Sequence, residues 1–449
     1  MLDPVLLARL QFALTICFHF LFPPISIGLA WMLVVLEYKS WRGDTDYDHI
    51  ARVLGKILAL NFAVGVATGI VMEFQFGTNW ASYSRFVGDI FGAPLAAEGV
   101  FAFFLESSFL GLYLFGRERV SRGVHWFSIL MVAVGATLSA FWILVANSWQ
   151  QTPTGYHLVT LPGGGQRAEL TSFAAAVFNP SMWHRFFHTV DAALITGAFF
   201  VAGIAAWRLR NGVGGVPSRK ALGTAVVAML VFSVLELFPL GHEHARQVAR
   251  TQPEKFAAME GVVRTERGAP LTLFGLVKHR PHLDVGARIE IPHLLSYLAY
   301  SDMDAEVKGL MDFPEDERPP LWLPFVSFHN MVILGQLFIL MGIIGAWLRW
   351  RGRLATHRGY LKALVFFMPL PVIACQFGWI AAEVGRQPWI VYRLLRTDDA
   401  VSATVPAGNV LFSLLMFLVI YLLLGWLYLF LLRREMAHAP EEGAGEVSA

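Results

Sequence analysis

Glu383 and Arg386 close an apolar run that begins near Leu361, with Trp379 and Trp389 on either side of them. A carboxylate about one turn inside the polar end of such a run is costly unless something compensates it. Three partners are chemically open: the Arg386 guanidinium, a proton, or a metal ion. Glu98 and Glu106 lie in another apolar run, eight residues apart, or roughly 12 Å along a helix axis. Ser107, Ser108 or a neighbouring helix could satisfy them; otherwise two carboxylates in one apolar helix are hard to explain as packing and mark a functional site. His19 sits alone among aromatic and aliphatic side chains, open to a helix contact or a metal. His184 and His188 share a helix face, so either could bind a metal, and spacing does not choose between them. His242-Glu243-His244 has no third ligand at helical spacing.

Membrane-crossing helices must carry these residues. The 449 residues are 56% hydrophobic and 14% aromatic with mean hydropathy +0.54, which is membrane composition rather than that of a soluble domain. The formal net charge of +2 gives no sign of a nucleic-acid partner. Cys17 and Cys375 both lie in apolar runs, which excludes a disulfide framework, a zinc motif and Cys-x-x-Cys-His haem attachment. The N-terminus moves straight into an apolar run without a basic region or cleavage site and reads as a retained helix.

Runs long enough to span about 30 Å of hydrocarbon lie near Leu10–Glu37, Val53–Phe74, Pro94–Phe115, Val124–Asn147, Trp183–Trp207, Ala221–Leu240, Trp322–Trp347, Leu361–Ala382 and Val410–Leu432. The fold class is therefore an all-α polytopic membrane protein with nine transmembrane helices. Basic residues (among them Lys39, Arg42, Arg117, Arg119, Arg208, Arg349, Arg433 and Arg434) collect after odd-numbered spans, which puts the N-terminus outside and the C-terminus in the cytoplasm. The chain divides into helices one to six (1–240), an outer segment (241–321), helices seven to nine (322–435) and a tail (436–449) that reads as disordered. A non-membrane segment as long as 241–321 is either disordered or functional. His125 reads as interfacial, and Ser139, Trp142 and Asn147 as polar assistants to the carboxylates.

The stretch from Gly378 through Glu383 to Gly385-Arg386-Gln387-Pro388-Trp389 resembles the signature of subunit I of the cytochrome bd-type quinol oxidases. Arg9-Leu10-Gln11-Phe12 with His19-Phe20-Leu21-Phe22 resembles the same family, as do Gly65 to Trp80, Gly88 to Leu95, and Phe187-His188-Thr189-Val190. The likeness runs from Arg9 to about Trp426. The short outer segment is similar to that of the short-loop branch, which includes a cyanide-insensitive type.

The resemblance implies a haem-containing subunit of a terminal oxidase that oxidises quinol outside and reduces O2 to water. It implies a low-spin haem b held by His188 and Met331, and high-spin haems (haem b and haem d, or a further haem b) with His19 and Glu383 as ligands. Glu98 would lie beside the high-spin haems and Glu106 on a proton path from the cytoplasm. Arg9, Trp379 and Arg386 belong to the motifs around them. Lys255 and Glu260 match the family's quinol positions, whereas their bare pattern is that of a solvated amphipathic helix. His329 stands where relatives often carry arginine, which bears on the low-spin haem's potential. A second large membrane subunit, a small single-span subunit, ubiquinol or menaquinol, and the lipid bilayer of the bacterial cytoplasmic membrane complete the expectation. Oxygen's protons would come from inside and quinol's leave outside, building a proton-motive force without a pump. A transporter using the same carboxylates would need broken helices and an inverted repeat, neither visible in the sequence. A haem–copper oxidase would need several deep histidines, and only His19 lies deep in a span.

Overall fold

The structure, a computed structural model, describes residues 3–278 and 284–437. Among these, nine helical spans are long and apolar enough to cross a membrane. They extend past the apolar runs into polar flanks, because hydropathy marks only the hydrocarbon-facing middle of a helix. The tail beyond 437 lies outside the described residues.

Span one is two helices, α1 (Pro4–His19) and α2 (Phe22–Trp41). Pro23 and Pro24 lack backbone donors and suit the first turn of α2, not the interior of a continuous helix. The break falls directly after His19. Span two is α3 (Thr45–Thr78), and span three joins α4 (Ala81–Ala97) to α5 (Phe104–Phe115) through a π-helical turn, Glu98–Phe103. Pro94, inside α4, removes one helical hydrogen bond just ahead of the turn. Span four is α6 (Arg122–Gln151); a hairpin of β1 (Tyr156–Thr160) and β2 (Gln166–Leu170) and the short α7 (Phe173–Val177) lead into span five, α8 (Met182–Arg210). Span six joins α9 (Gly215–Leu235) to α10 (His242–Thr251) through a second π-turn, Glu236–Gly241, again with a proline, Pro239.

The segment that follows is folded. It contains α11 (Pro253–Glu260), β3 (Glu266–Arg267), β4 (Leu271–Lys278), β5 (Asp284–Ile291), α12 (Leu294–Tyr300) and β6 (Glu306–Val307), with β4 paired to β5 and β3 to β6 in antiparallel fashion. Val248, Phe256, Met259, Val285, Leu295, Leu310 and Phe325 bury an apolar cluster of its own. Span seven is α13 (Trp322–Trp350). Span eight is broken like span one, into α14 (Arg358–Phe367) and α15 (Leu370–Val384) around Pro369 and Pro371. A small β7–β8 hairpin (Trp389–Val391 and Leu395–Arg396) and α16 (Thr397–Ala400) precede span nine, α17 (Ala407–Ala437). Broken spans are thus present, contrary to the unbroken runs expected from hydropathy, because proline interrupts helices without interrupting apolarity.

The centre of the bundle is the crossing of α2 and α8. A Cβ on Gly28 would fall on the carbonyl of Ala193 and the backbone of Gly197, so the two main chains touch. Lipid gives helices no hydrophobic reason to associate, and small residues let dispersion contacts do so instead.

Candidate functional site

α6 ends beside the end of α15, and its last two turns carry a pair of amides at i and i+4. Both reach one oxygen: Asn147 Nδ2 donates to Glu383 Oε1 at 3.0 Å and Gln151 Nε2 to the same atom at 3.2 Å. Each amide carbonyl faces a cation from another element. Arg185 Nη1, on α8, donates to Asn147 Oδ1 at 2.8 Å, and Lys255 Nζ, on α11, donates to Gln151 Oε1 at 2.8 Å. Arg386 pairs directly with Glu383 Oε2. One carboxylate is ringed by three cations, two of them through an amide.

Lys255 does not face water. Its residue is 1% exposed, its stem would meet a Cβ placed on Gly385 at 2.9 Å, and its Nζ also donates to Gln252 Oε1 at 3.1 Å. Burial holds the amine well below the usual lysine range, and Arg185's charge lowers it further. The solvated-helix alternative is therefore excluded: α11 is buried from Glu254 to Glu260. Glu260 lies on the same helix with Oε2 unpartnered, its carboxyl pushed up to about 8 by burial. Tyr392 OH donates to Glu254 Oε1 at 2.6 Å, which ties α11 to the chain just after the Gly385–Trp389 motif.

His188 forms a second cluster. Its Nδ1 lies 3.0 Å from Glu236 Oε1, at the head of the second π-turn, and its ring meets His244 edge-on at 5.0 Å between centroids. A histidine whose Nδ1 faces a carboxylate offers Nε2 to a metal. Both α8 and α13, the helix of Met331, pack against the 236–241 turn. Met331 presses on α15, where a Cβ on Gly378 would stand 2.8 Å from its sulfur. His184, one turn from His188, keeps an unpartnered buried Nδ1. His329 Nδ1 lies 2.9 Å from Phe325 O and Nε2 2.8 Å from Thr272 O, so this side chain fastens β4 to α13 and has no free nitrogen for iron.

His19 ends α1 and its Nδ1 lies 3.0 Å from Thr68 Oγ1; a Cβ on Gly69 would meet its ring at 3.1 Å. Glu98 opens the first π-turn and accepts from Ser139 Oγ at 2.7 Å. Glu106 is buried on α5, where α6 comes close enough for a Cβ on Gly135 to meet the Glu106 backbone at 3.0 Å. Trp379 lies half-buried on α15, and Arg9 is exposed on α1. His125, in the first turn of α6, is 4% exposed, its Nε2 3.0 Å from Tyr113 O, within a network where Tyr113 OH donates to Glu37 Oε1 at 2.8 Å and Arg117 bridges Glu37 and Asp48.

Sequence reasoning anticipated Ser139 and Asn147, weighed His244 only as part of a metal site, and missed Gln151, Arg185 and Glu236. Gln151 and Asn147 share a helix face, which is the only sequence signal that could have flagged Gln151. Nothing local marks Arg185 or Glu236, since their partners come from distant elements.

Fold and site define a helical membrane protein with a buried carboxylate gathered under converging cations. Residues 7–440 match the sequence profile described as cytochrome bd terminal oxidase subunit I. The chain is 40% identical to the cytochrome bd ubiquinol oxidase subunit 1 of Bacillus subtilis (strain 168), over 98% of this chain and 95% of that one. It is 38% identical to the cytochrome bd-II ubiquinol oxidase subunit 1 of Escherichia coli (strain K12), over 94% of each. The solved bd oxidase from Geobacillus thermodenitrificans superimposes with a TM-score of 0.88 at 33% identity, covering 96% of this chain and 98% of that chain.

The chain belongs to the cytochrome bd terminal oxidase subunit I family. Members are multi-pass proteins of the bacterial inner membrane, subunits of haem-carrying oxidases that act on quinol and O2. The residues present fit haem. Arg185, Lys255 and Arg386 are buried around one carboxylate, and Arg386 Nη1 has no partner. Buried charges require counter-charges, and the carboxylate side groups of a haem would supply them. Glu383 Oε2 keeps a lone pair beyond the one that Arg386 engages. Among the described residues no three His, Cys, Asp or Glu side chains gather to hold a bare metal ion.

Proposed function

We propose that this chain is the haem-bearing subunit of a quinol:O2 oxidoreductase in which quinol docks at α11 and oxygen reacts near Glu383. The observation that carries the reading is the landing of Lys255 and Glu254, from the segment between spans six and seven, on the Glu383 to Tyr392 stretch. Two motifs more than a hundred residues apart meet where electron donor and acceptor chemistry must communicate.

His188 Nε2 and the Met331 thioether are assigned to a low-spin haem b, a ligand pair that raises the potential and suits electron acceptance from quinol. His19 and Glu383 are assigned to high-spin iron, one as haem b and the other as haem d or a further haem b. When bound, these haems supply the one-electron and oxygen chemistry. Lys255 orients a quinol oxygen from a dry setting, and Glu260 makes a second contact to the quinol. Glu106 and Glu98 hand protons along the α5–α6 seam, with Ser139 fixing the Glu98 carboxyl. Arg386, Asn147 and Gln151 hold Glu383 in place, and Trp379 and Arg9 flank the haem region.

The basic-residue pattern puts α11 on the outer face, so quinol protons leave outside while those for water enter from the cytoplasm, building a proton-motive force without pumping. A second large subunit and a small single-span subunit complete the assembly, with ubiquinol or menaquinol as donor. The test is the purified complex. Three haems per subunit I, one low-spin, and oxygen uptake driven by quinol are expected. His188→Ala should remove the low-spin spectrum alone, and an intact low-spin spectrum in that variant would overturn the assignment in favour of His184.

A further inference from the structure

Gln151 is 1% exposed and, among the described residues, is the one side chain of the site that touches both the Lys255 amine and the Glu383 carboxylate. An amide accepts at one end and donates at the other, so the two hydrogen bonds are linked. A donor on the carbonyl polarises the amide and makes its N–H a stronger donor in turn. Asn147 gives the same oxygen the same kind of hydrogen bond, but its carbonyl faces Arg185 of the bundle rather than a residue of α11.

We propose that Gln151 is a positioning residue that couples quinol docking at α11 to the electron-donating strength of Glu383. This rests on the reading above of Lys255 as a quinol contact and Glu383 as an iron ligand. Lys255 carries three protons at most, and Gln151 and Gln252 engage two of them. A quinol oxygen that draws Lys255 Nζ towards itself relaxes the Lys255–Gln151 bond. Gln151 then donates less strongly to Glu383 Oε1. The carboxylate becomes a better donor to iron, which favours the ferric state. Docking of reductant is thereby sensed at the Glu383 haem before any electron moves, with no covalent step and no change in the ligand set.

The experiment uses the purified holo-oxidase with all its subunits and decylubiquinone, a short-chain quinone, as probe. Midpoint potential and optical spectrum of the high-spin haems are recorded with and without saturating quinone. In the unaltered protein, quinone should lower the midpoint of the Glu383 haem and displace its band. Gln151→Met, of similar length but without donor or acceptor, should start at the lowered midpoint and show no quinone-induced displacement. Asn147→Leu should also lower the resting midpoint, yet keep the quinone-induced displacement, because its link to α11 was never there. A general packing defect cannot produce that contrast. If Gln151→Met fails to assemble, Gln151→Asn, which is too short to span both partners, replaces it with the same expectation. A displacement that persists in the Gln151 variants, or that is absent from the unaltered protein, overturns the coupling. Retention of a normal high-spin haem in Glu383→Gln instead overturns the ligand reading on which it rests.

Discussion

Replacing Glu383 by Gln separates an ion pair from an iron ligand. The exchange keeps the size of the side chain and removes its charge. Glu383 accepts from Asn147 Nδ2, Gln151 Nε2 and Arg386, and its side chain is 16% exposed against 3% for Arg386. In the Gln variant, the carboxamide oxygen can still accept two of these bonds, while its NH2 faces the donor that remains. One charge-assisted hydrogen bond is lost, about 1.5–3 kcal/mol. Arg386, Arg185 and Lys255 also lose their one shared carboxylate. Removing one partner of a buried pair costs about 3–5 kcal/mol, a figure that already includes the lost bond. Thermal unfolding of the complex in detergent should therefore occur at clearly lower temperature. An ion-pair role alone predicts that loss with every haem still present. A ligand role predicts that one high-spin haem is missing or spectrally altered, because a carboxamide is a far poorer donor to iron. Haem stoichiometry by pyridine haemochrome and the reduced-minus-oxidised spectrum decide between them. Full occupancy with an unaltered spectrum refutes the ligand role. An unchanged unfolding temperature refutes the dependence of the three buried cations on this carboxylate.

Glu106→Gln should keep all haems and slow oxygen uptake by about 100-fold, since an amide cannot release and regain a proton; normal turnover would remove Glu106 from the proton path. Glu260, raised from 4.5 to about 8, holds a proton in the folded chain that the unfolded chain has released, so its contribution to stability falls as pH rises from about 4.5 to 8. Glu260→Gln should abolish that fall in thermal unfolding measured across the window and raise the apparent KM for quinol; an unchanged pH dependence would show the carboxyl to be ordinary. Gly378→Ala places a methyl 2.8 Å from the Met331 sulfur, so the thioether must move and the low-spin haem should turn partly high-spin. An unshifted low-spin spectrum would detach Met331 from the iron.

The nine spans were legible because apolarity over a hydrocarbon thickness is a property of consecutive residues; the proposed ligand set His19, His188, Met331 and Glu383 comes from the resemblance carried by short motifs. The breaks after His19 and at Met368 were encoded by Pro23, Pro24, Pro369 and Pro371, but hydropathy averages over proline, so only the folded chain displays them. The π-turns that present Glu98 and Glu236 are likewise invisible to a periodicity of 3.6. Lys255 on a charged, proline-led helix looked solvated until α6 and α15 closed over it, because burial depends on what packs against a residue and not on its neighbours in the chain. The same holds for Gln151 and Arg185, each an unremarked side chain whose partners lie many residues away. Motif and hydropathy are local and survive in the sequence; the sharing of one carboxylate by three cations is a relation among four elements, and only the tertiary fold brings those elements together.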